Sequence, residues 1–415
     1  MSALPETPEL PAARIGYFTL VFRELRKNRI AMLGLYAVLG LLFIAVFAPV
    51  LCANQPFLYR DATGWSSPWF GSLFDRLVYE SSVDVFFNLL LVSSLPATLG
   101  YAIARRRSGP RFPRVRPRLV VGFFVTFTAL FALIAPERLG PFQNPFFHSK
   151  SVVNYRTLSE SATGSARASV AVFPPSRFSY RETDPSQSLL PPSLRHPFGT
   201  DTAGRDVLAR MLFGTRISLT IGVVAVALYV AIGILIGALA GYFGGWIDAL
   251  LSRLIEVMIC FPTFFLILTL AALVRERSIF HVMVIIGVTS WTGVARLVRA
   301  EFLKHKGLEY AQAARALGIP VRRIIFAHIL PNASAPVLVS ATFGIASAIL
   351  VESSLAFLGI GDLTVPSWGE TLNSGRLEGR LWLILAPGFA IFFVVTVFNL
   401  VGEGLRDALD PKLRR

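Results

Sequence analysis

Eight stretches of this 415-residue chain are apolar over the length of a bilayer-crossing helix, which leaves few other folds open to it. A helix needs about 20 mostly apolar residues to cross the hydrocarbon core. Backbone polar groups there must be satisfied within the segment, which selects helices when no strand pattern is present. Seven spans are clear: Ile30–Leu51, Leu119–Ala135, Ile217–Ala240, Leu251–Val274, Ile279–Val298, Val337–Leu358 and Leu381–Gly402. The eighth, Val83–Ala104, is interrupted by Asp84, Asn88 and Pro96. Composition agrees, since 54% apolar residues and a mean hydropathy of +0.60 exceed the usage of ordinary soluble domains, roughly 45–50% apolar even with glycine counted. The sequence predicts an all-α polytopic membrane protein of eight helices.

The charges orient these spans, because Lys and Arg gather in short cytoplasmic loops. Arg23, Arg26, Lys27 and Arg29 precede the first span. The second and third are joined by RRRSGPRFPRVRPR, which holds Arg105, Arg106, Arg107, Arg111, Arg114, Arg116 and Arg118 and no acid. Both regions are expected inside, as are the loop after the sixth span and the tail after the eighth. Eight crossings satisfy all four assignments, and dropping Val83–Ala104 would break them. The net charge of +15 is then largely a matter of topology. A basic run can also bind nucleic-acid phosphates, but with apolar spans on both sides an anchor near anionic lipid is the preferred reading.

The chain therefore divides into a cytoplasmic tail and amphipathic helix (1–29), the first core span (30–51) and an inserted hairpin (83–135). An extracytoplasmic loop (137–214), a core membrane domain (215–403) and a cytoplasmic tail (404–415) complete it. Pro5, Pro8 and Pro11 mark a flexible start, and Phe18, Val21, Phe22 and Leu25 give Arg14–Arg29 one apolar side. The loop is rich in Ser, Pro and Arg and reads as extended. The first span is too long and too far from the N-terminus for a secretory signal, and Leu51 before Cys52 argues against lipoprotein cleavage, so it is expected to stay as an anchor. Cys52 and Cys260 suggest neither a disulfide nor a metal site. No Gly-x-x-x-x-Gly-Lys-Ser/Thr string occurs, so the chain lacks a phosphate-cradling loop. No cofactor, metal or catalytic residue is expected in it.

Between the sixth and seventh spans lies EYAQAARALGIPVRRIIFAHILP, Glu309 to Pro331. Ala311, Ala314 and Gly318 recur at i, i+3 and i+7, so one helical face has almost no bulk. Gly318 followed by Pro320 ends a helix, and a second short one can run from about Val321 to Leu330. Lys304, Lys306, Arg315, Arg322 and Arg323 hold this bent unit at a membrane surface. It resembles the EAA loop of ABC-importer permeases: Gln312-Ala313-Ala314 precedes Gly318, and His328 and Leu330-Pro331 take the closing positions. Gln stands in place of Glu and His in place of Ile, which leaves the small face intact. The resemblance implies a coupling helix within 302–331, carried by Glu309, Ala311, Gln312, Ala313, Ala314, Gly318, Leu330 and Pro331, that sits in a cleft of a separate ATPase subunit.

A longer string, HPFGTDTAGRDVLARMLFGTRISLTIG from His196 to Gly222, resembles the approach to the second core helix in oligopeptide- and dipeptide-type permeases, the C-type partner in particular. Pro197 and Gly199 make a turn, and Thr200 or Asp201 can cap a helix. Asp206 and Arg210 stand i,i+4, where they can pair, while Val207, Met211 and Leu212 offer an apolar side to the outer membrane surface. Gly241–Gly245 with Asp248, Arg253 and Glu256, the stretch Glu352–Gly359, and the exit from Gly402-Glu403 to Asp410-Pro411 agree with the same family. The similarity covers Arg14–Leu51 and His196–Pro411. It implies a six-helix type I ABC importer permease core, with Val83–Ala135 as an extra peripheral hairpin. It also implies a homologous second permease, two ATPase subunits using ATP and Mg, and an extracytoplasmic binding protein. The location implied is the bacterial inner membrane with both termini cytoplasmic. Peptides are the implied cargo; nickel or another small solute is the alternative.

Ionisable or polar groups at membrane depth are pathway candidates by default. Glu352 is the main one, with Ser353 beside it and Asn399 in the last span; each can equally hold a neighbouring helix. Pro262 and Pro387 are expected to kink their helices. A stand-alone gradient-driven transporter would need several midplane ion-coordinating groups on repeated halves, and the sequence shows one clear midplane acid, Glu352, and no repeat.

Overall fold

The computed structural model describes residues 17–61, 64–109, 112–134, 153–156, 158, 170–275, 277–362 and 364–409. The expected flexible start, residues 137–152, 157 and 159–169 of the extended loop, Arg111 and the final Asp410-Pro411 lie outside them. Long helices dominate, and a small sheet caps one end. The sheet is antiparallel in the order β2-β1-β3, from β1 (Leu58–Asp61), β2 (Gly64–Ser66) and β3 (Val170–Val172), with Tyr59 opposite both Ser66 and Ala171.

Helix α1 (Tyr17–Leu25) stops short of the expected Arg29, because Asn28 caps the next helix, α2 (Arg29–Leu51). The Asn28 Oδ1 accepts from the amides of Ile30 and Ala31, each at 3.1 Å. Val21 and Leu25 of α1 pack with Ala31 and Ala408, while Phe22 stays exposed. After a short helix, α3 (Pro68–Ser72), the inserted hairpin is α4 (Ser82–Ser108) and α5 (Phe112–Ile134).

The centre of the molecule is α6 (Val207–Phe243), 37 residues long. It is followed by α7 (Gly245–Cys260) and α8 (Thr263–Leu273), then α9 (Ile279–Thr289) and α10 (Thr292–Lys306). Short α11 (Glu309–Ala316) opens the charged loop, and α12 (Ala335–Phe357), α13 (Trp368–Glu378) and α14 (Leu381–Leu409) complete the order. Among the described residues, six helices are long and apolar enough to cross a membrane, namely α2, α4, α5, α6, α12 and α14. Two expected straight spans are instead bent pairs: α7 and α8 meet at 79°, α9 and α10 at 40°. Pro262 sits at the first break, because it cannot donate into the ladder. Pro387, expected to kink the last span, lies inside continuous α14.

Packing around α6 follows from small residues. Gly233, Gly237 and Gly241 line one face at i, i+4 and i+8 and admit the backbone of α10. A Cβ at Gly233 would lie 2.6 Å from that of Val294, and one at Gly241 would lie 2.6 Å from that of Phe302. Lipid tails are as apolar as leucine, so close approach of this kind is what holds membrane helices together.

The hairpin is less peripheral than its sequence suggests. Val83, Asp84, Val85, Phe87, Asn88 and Leu89 are buried at the start of α4. Its second half and the described side chains of α5 are mostly exposed. The first half of α4 is tied into the core, whereas its second half and α5 stand away from it.

Candidate functional site

The charged loop after α10 folds as a closed knuckle. Glu309 in the first turn of α11 and Arg315 in the last suit the helix dipole. The helix ends in a Schellman motif: Gly318 N–H donates to Arg315 O at 2.9 Å and Ile319 N–H to Ala314 O at 3.1 Å. Gly318 takes φ +68°, a left-handed conformation, with open space around any added Cβ. The chain turns at Pro320, runs through Val321–Arg323 and a π-helical stretch, Ile324–Ile329, and reaches α12 through Leu330–Ala333.

The bare face of α11 is turned inward rather than outward. Ala311 and Ala314 are buried with Ile324, Ile325 and Ile329, so their small size lets the knuckle close on itself. The surface is formed by Gln312, Ala313, Arg315, Ala316 and Gly318, and by Leu317, which is 79% exposed. Glu309 and Pro331 are exposed and Leu330 is half-buried. Gln312 has a local purpose: its Nε2 donates to Gly307 O at 2.9 Å and closes the corner between α10 and α11. A glutamate carboxylate could not donate there. The Tyr310 hydroxyl lies 2.9 Å from His305 Nδ1, and the Arg315 guanidinium sits 4.9 Å over the Tyr242 ring.

At the other end of α6, the string from His196 folds into a polar cap. Asp206 does not pair with Arg210. Its Oδ1 accepts from Ala209 N–H at 2.8 Å, capping α6, while its Oδ2 lies 2.8 Å from His196 Nδ1. Burial pushes the Asp206 carboxyl above the usual carboxylate range. Arg210 turns to Glu370 of α13 instead, and Asp201 holds Arg205 at 2.6 Å. Val207 and Met211 are buried in the core, so the expected apolar side facing lipid is an internal one. Trp368 Nε1 donates to Met211 O at 3.0 Å across Gly214, and Trp382 Nε1 to Thr200 O at 3.3 Å. The cap therefore ties α6, α13 and α14 together.

Between the two ends lies a groove of about 300 Å³ on the apolar shaft. Tyr229, Ser290, Ser340, Gly344 and Ser347 line it. Glu352 does not. It is buried, and accepts from Ser367 Oγ at 2.7 Å and Ser353 Oγ at 3.3 Å, while Ser367 caps α13. Ser353 is buried with it, and Asn399 lies on the exposed side of α14. The serines were readable in the sequence: Ser340, Gly344 and Ser347 recur at i, i+4 and i+7, a small polar stripe on one helix face.

A knuckle at one end, a polar cap at the other and a serine-lined groove between them fit a conduit with moving ends. The family model for the inner membrane component of binding-protein-dependent transport systems matches residues 233–415. That for the N-terminal TM domain of oligopeptide transport permease C matches residues 16–64. The dipeptide transport system permease protein DppC of Alkalihalophilus pseudofirmus is 42% identical over 59% of this chain and 82% of its own. The chain belongs to the ABC-importer permeases of binding-protein-dependent transport systems. The oligopeptide transport system permease protein OppC of Escherichia coli K12 is 44% identical over 58% of this chain and 80% of its own. OppC of Haemophilus influenzae is 40% identical over 57% and 78%. The chain is thus a multi-pass inner-membrane permease subunit of C type, built on the core expected from its sequence. Neither family model reaches residues 65–232, where the hairpin α4–α5 lies.

Proposed function

We propose that this permease moves oligopeptides or dipeptides from an extracytoplasmic binding protein into the cytoplasm, driven by ATP hydrolysis in partner subunits. The cargo is supported by the names of relatives that share most of their length with this chain. These names favour peptides over the nickel alternative. The observation that carries the mechanism is the knuckle Glu309–Pro331: a rigid, Schellman-closed bend with exposed Gln312, Ala313, Leu317 and Gly318. On this reading it lies on the inner surface together with both termini, which the surrounding arginines support. There it seats in a cleft of an ATPase. Ala311 and Ala314 serve by closing the bend, and Glu309, Leu330 and Pro331 by setting its ends.

The assembled importer has two ATPases, which carry ATP and Mg, and a homologous second permease facing the groove. Closure of the ATPases pushes the knuckle, and α10 passes that displacement to α6 along the glycine face. The wall at Ser290, Ser340 and Ser347 offers hydroxyls to a passing peptide backbone. Glu352 and Ser353 hold α13 through Ser367, which positions the outer end of the pathway. Asn399 faces a neighbouring subunit.

The test is peptide-stimulated ATP hydrolysis by the reconstituted complex. Leu317→Glu puts a charge on the exposed tip and is expected to lower stimulation about tenfold or more, the scale of a central interface residue, with unchanged membrane insertion. Unaltered stimulation would remove the knuckle from the coupling path.

A further inference from the structure

We infer that the hairpin α4–α5 is a binding site for an anionic phospholipid, with its acyl chain in a groove between the two helices and its phosphate on the arginines at their joined end. The groove measures about 520 Å³ and is lined by Pro96, Ala97, Gly100, Tyr101, Leu119 and Phe123. Ala97 and Gly100 provide its depth, and a Cβ at Gly100 would meet nothing within 4 Å. Tyr101 and Phe112 pack edge to face at 5.1 Å and close its polar end.

The charge lies where a headgroup would be. Arg105 is one turn beyond Tyr101 on the same face of α4, and Arg116 is three residues before Leu119 on α5. Arg105, Arg106, Arg107, Arg116 and Arg118 are all exposed, and none makes an ion pair or side-chain hydrogen bond among the described residues. No acid occurs between Arg105 and Arg118. Guanidinium groups bind phosphate in paired hydrogen bonds, and basic pockets between membrane helices at the cytoplasmic side hold anionic headgroups. An apolar slot continuous with unpaired arginines matches an anionic lipid along its whole length. The acidic surface of a protein partner would use the arginines and leave the slot unfilled. A consequence follows for the core, since the same α4 is anchored at its other end by Asp84 and Asn88 against Arg216 of α6. Lipid held at the arginine end fixes the part of the hairpin that the core leaves exposed.

The experiment places the full chain in nanodiscs of phosphatidylcholine doped with fluorescent phosphatidylglycerol and measures lipid retained through exchange. The wild type retains phosphatidylglycerol in preference to a matched fluorescent phosphatidylcholine. Arg105→Gln and Arg116→Gln each lower that preference about fivefold. Gly100→Phe fills the slot without touching a charge and lowers it as well, with the melting temperature of each variant in phosphatidylcholine alone reporting an intact fold. Equal retention of the two lipids, or wild-type retention in both arginine variants, overturns the proposal. Displacement by glycerophosphoglycerol as effective as by the whole lipid overturns the acyl-chain part. Loss of retention when the ATPase partner is added assigns the arginines to a protein and overturns it too.

Discussion

Arg216 shows how one residue can decide where a foreign element sits. It is wholly buried in α6, and its Nε donates to Ala45 O at 2.7 Å. That carbonyl is free because Pro49, four residues on, has no N–H to give it. The same guanidinium donates to Asp84 Oδ1 and Asn88 Oδ1, both at 2.9 Å, and Tyr180 donates to the other Asp84 oxygen at 2.9 Å. Removing one partner of a buried pair costs about 3–5 kcal/mol, whereas replacing both by apolar groups is often neutral. Asp84→Ala is therefore expected to lower the melting temperature sharply, and Asp84→Leu with Arg216→Met to recover most of it. Equal losses in the two would mean that the charges matter less than the shape. Cys52 offers a second check at this scale. Burial raises its thiol from an ordinary 9.0 to about 12, so its proton stays on in the folded state while the unfolded chain loses its own near 9. Any stability it contributes is complete below pH 9 and declines as pH rises from there toward 12. Maleimide at pH 7–9 should spare Cys52 in the folded protein and label it after denaturation. Asp84 and Asn88 were visible in the sequence as interruptions of a span, but their partner lies far along the chain, and spacing alone cannot supply it. The Asp206 and Arg210 expectation failed for a related reason: i,i+4 neighbours pair only when no better partner is near, and His196 and Glu370 are better placed.

The knuckle shows which parts of an element local chemistry determines. Its existence, its glycine stop and its proline turn were all legible, because φ above zero and a missing N–H are properties of single residues. Which face points outward was not, since alanines suit a tight internal contact as well as a docking surface. Gly318 is needed for its backbone and not for space, so Gly318→Ala is expected to cost about 1–2 kcal/mol and Gly318→Asn less. Proteolysis of the loop would read the difference, and equal protection of wild type and alanine variant would speak against a strained cap. Ala314→Trp should instead open the knuckle and reduce assembled complex, because the site is filled by Ile324 and Ile325. If that variant assembles normally, the inward packing of α11 is wrong. The break between α7 and α8 was legible from Pro262, while that between α9 and α10 carries no proline and is a product of packing on α6.

Across the whole molecule, hydropathy was enough to give the class and the membrane-crossing core. The serine groove and the outer cap were only partly readable, because they are assembled from helices distant in sequence. On the proposed function, the knuckle receives force on the inner face from a separate ATPase subunit. Leu317→Cys in a Cys260→Ser background tests this most directly, by photo-cross-linking to the assembled ATPase through a benzophenone maleimide attached at position 317 and by labelling with a membrane-impermeant maleimide. The expected result is a cross-link to the ATPase, with labelling from the cytoplasmic side that the assembled ATPase blocks. Labelling from the outer side, or transport of peptide by the purified permease subunits without an ATPase, would contradict it.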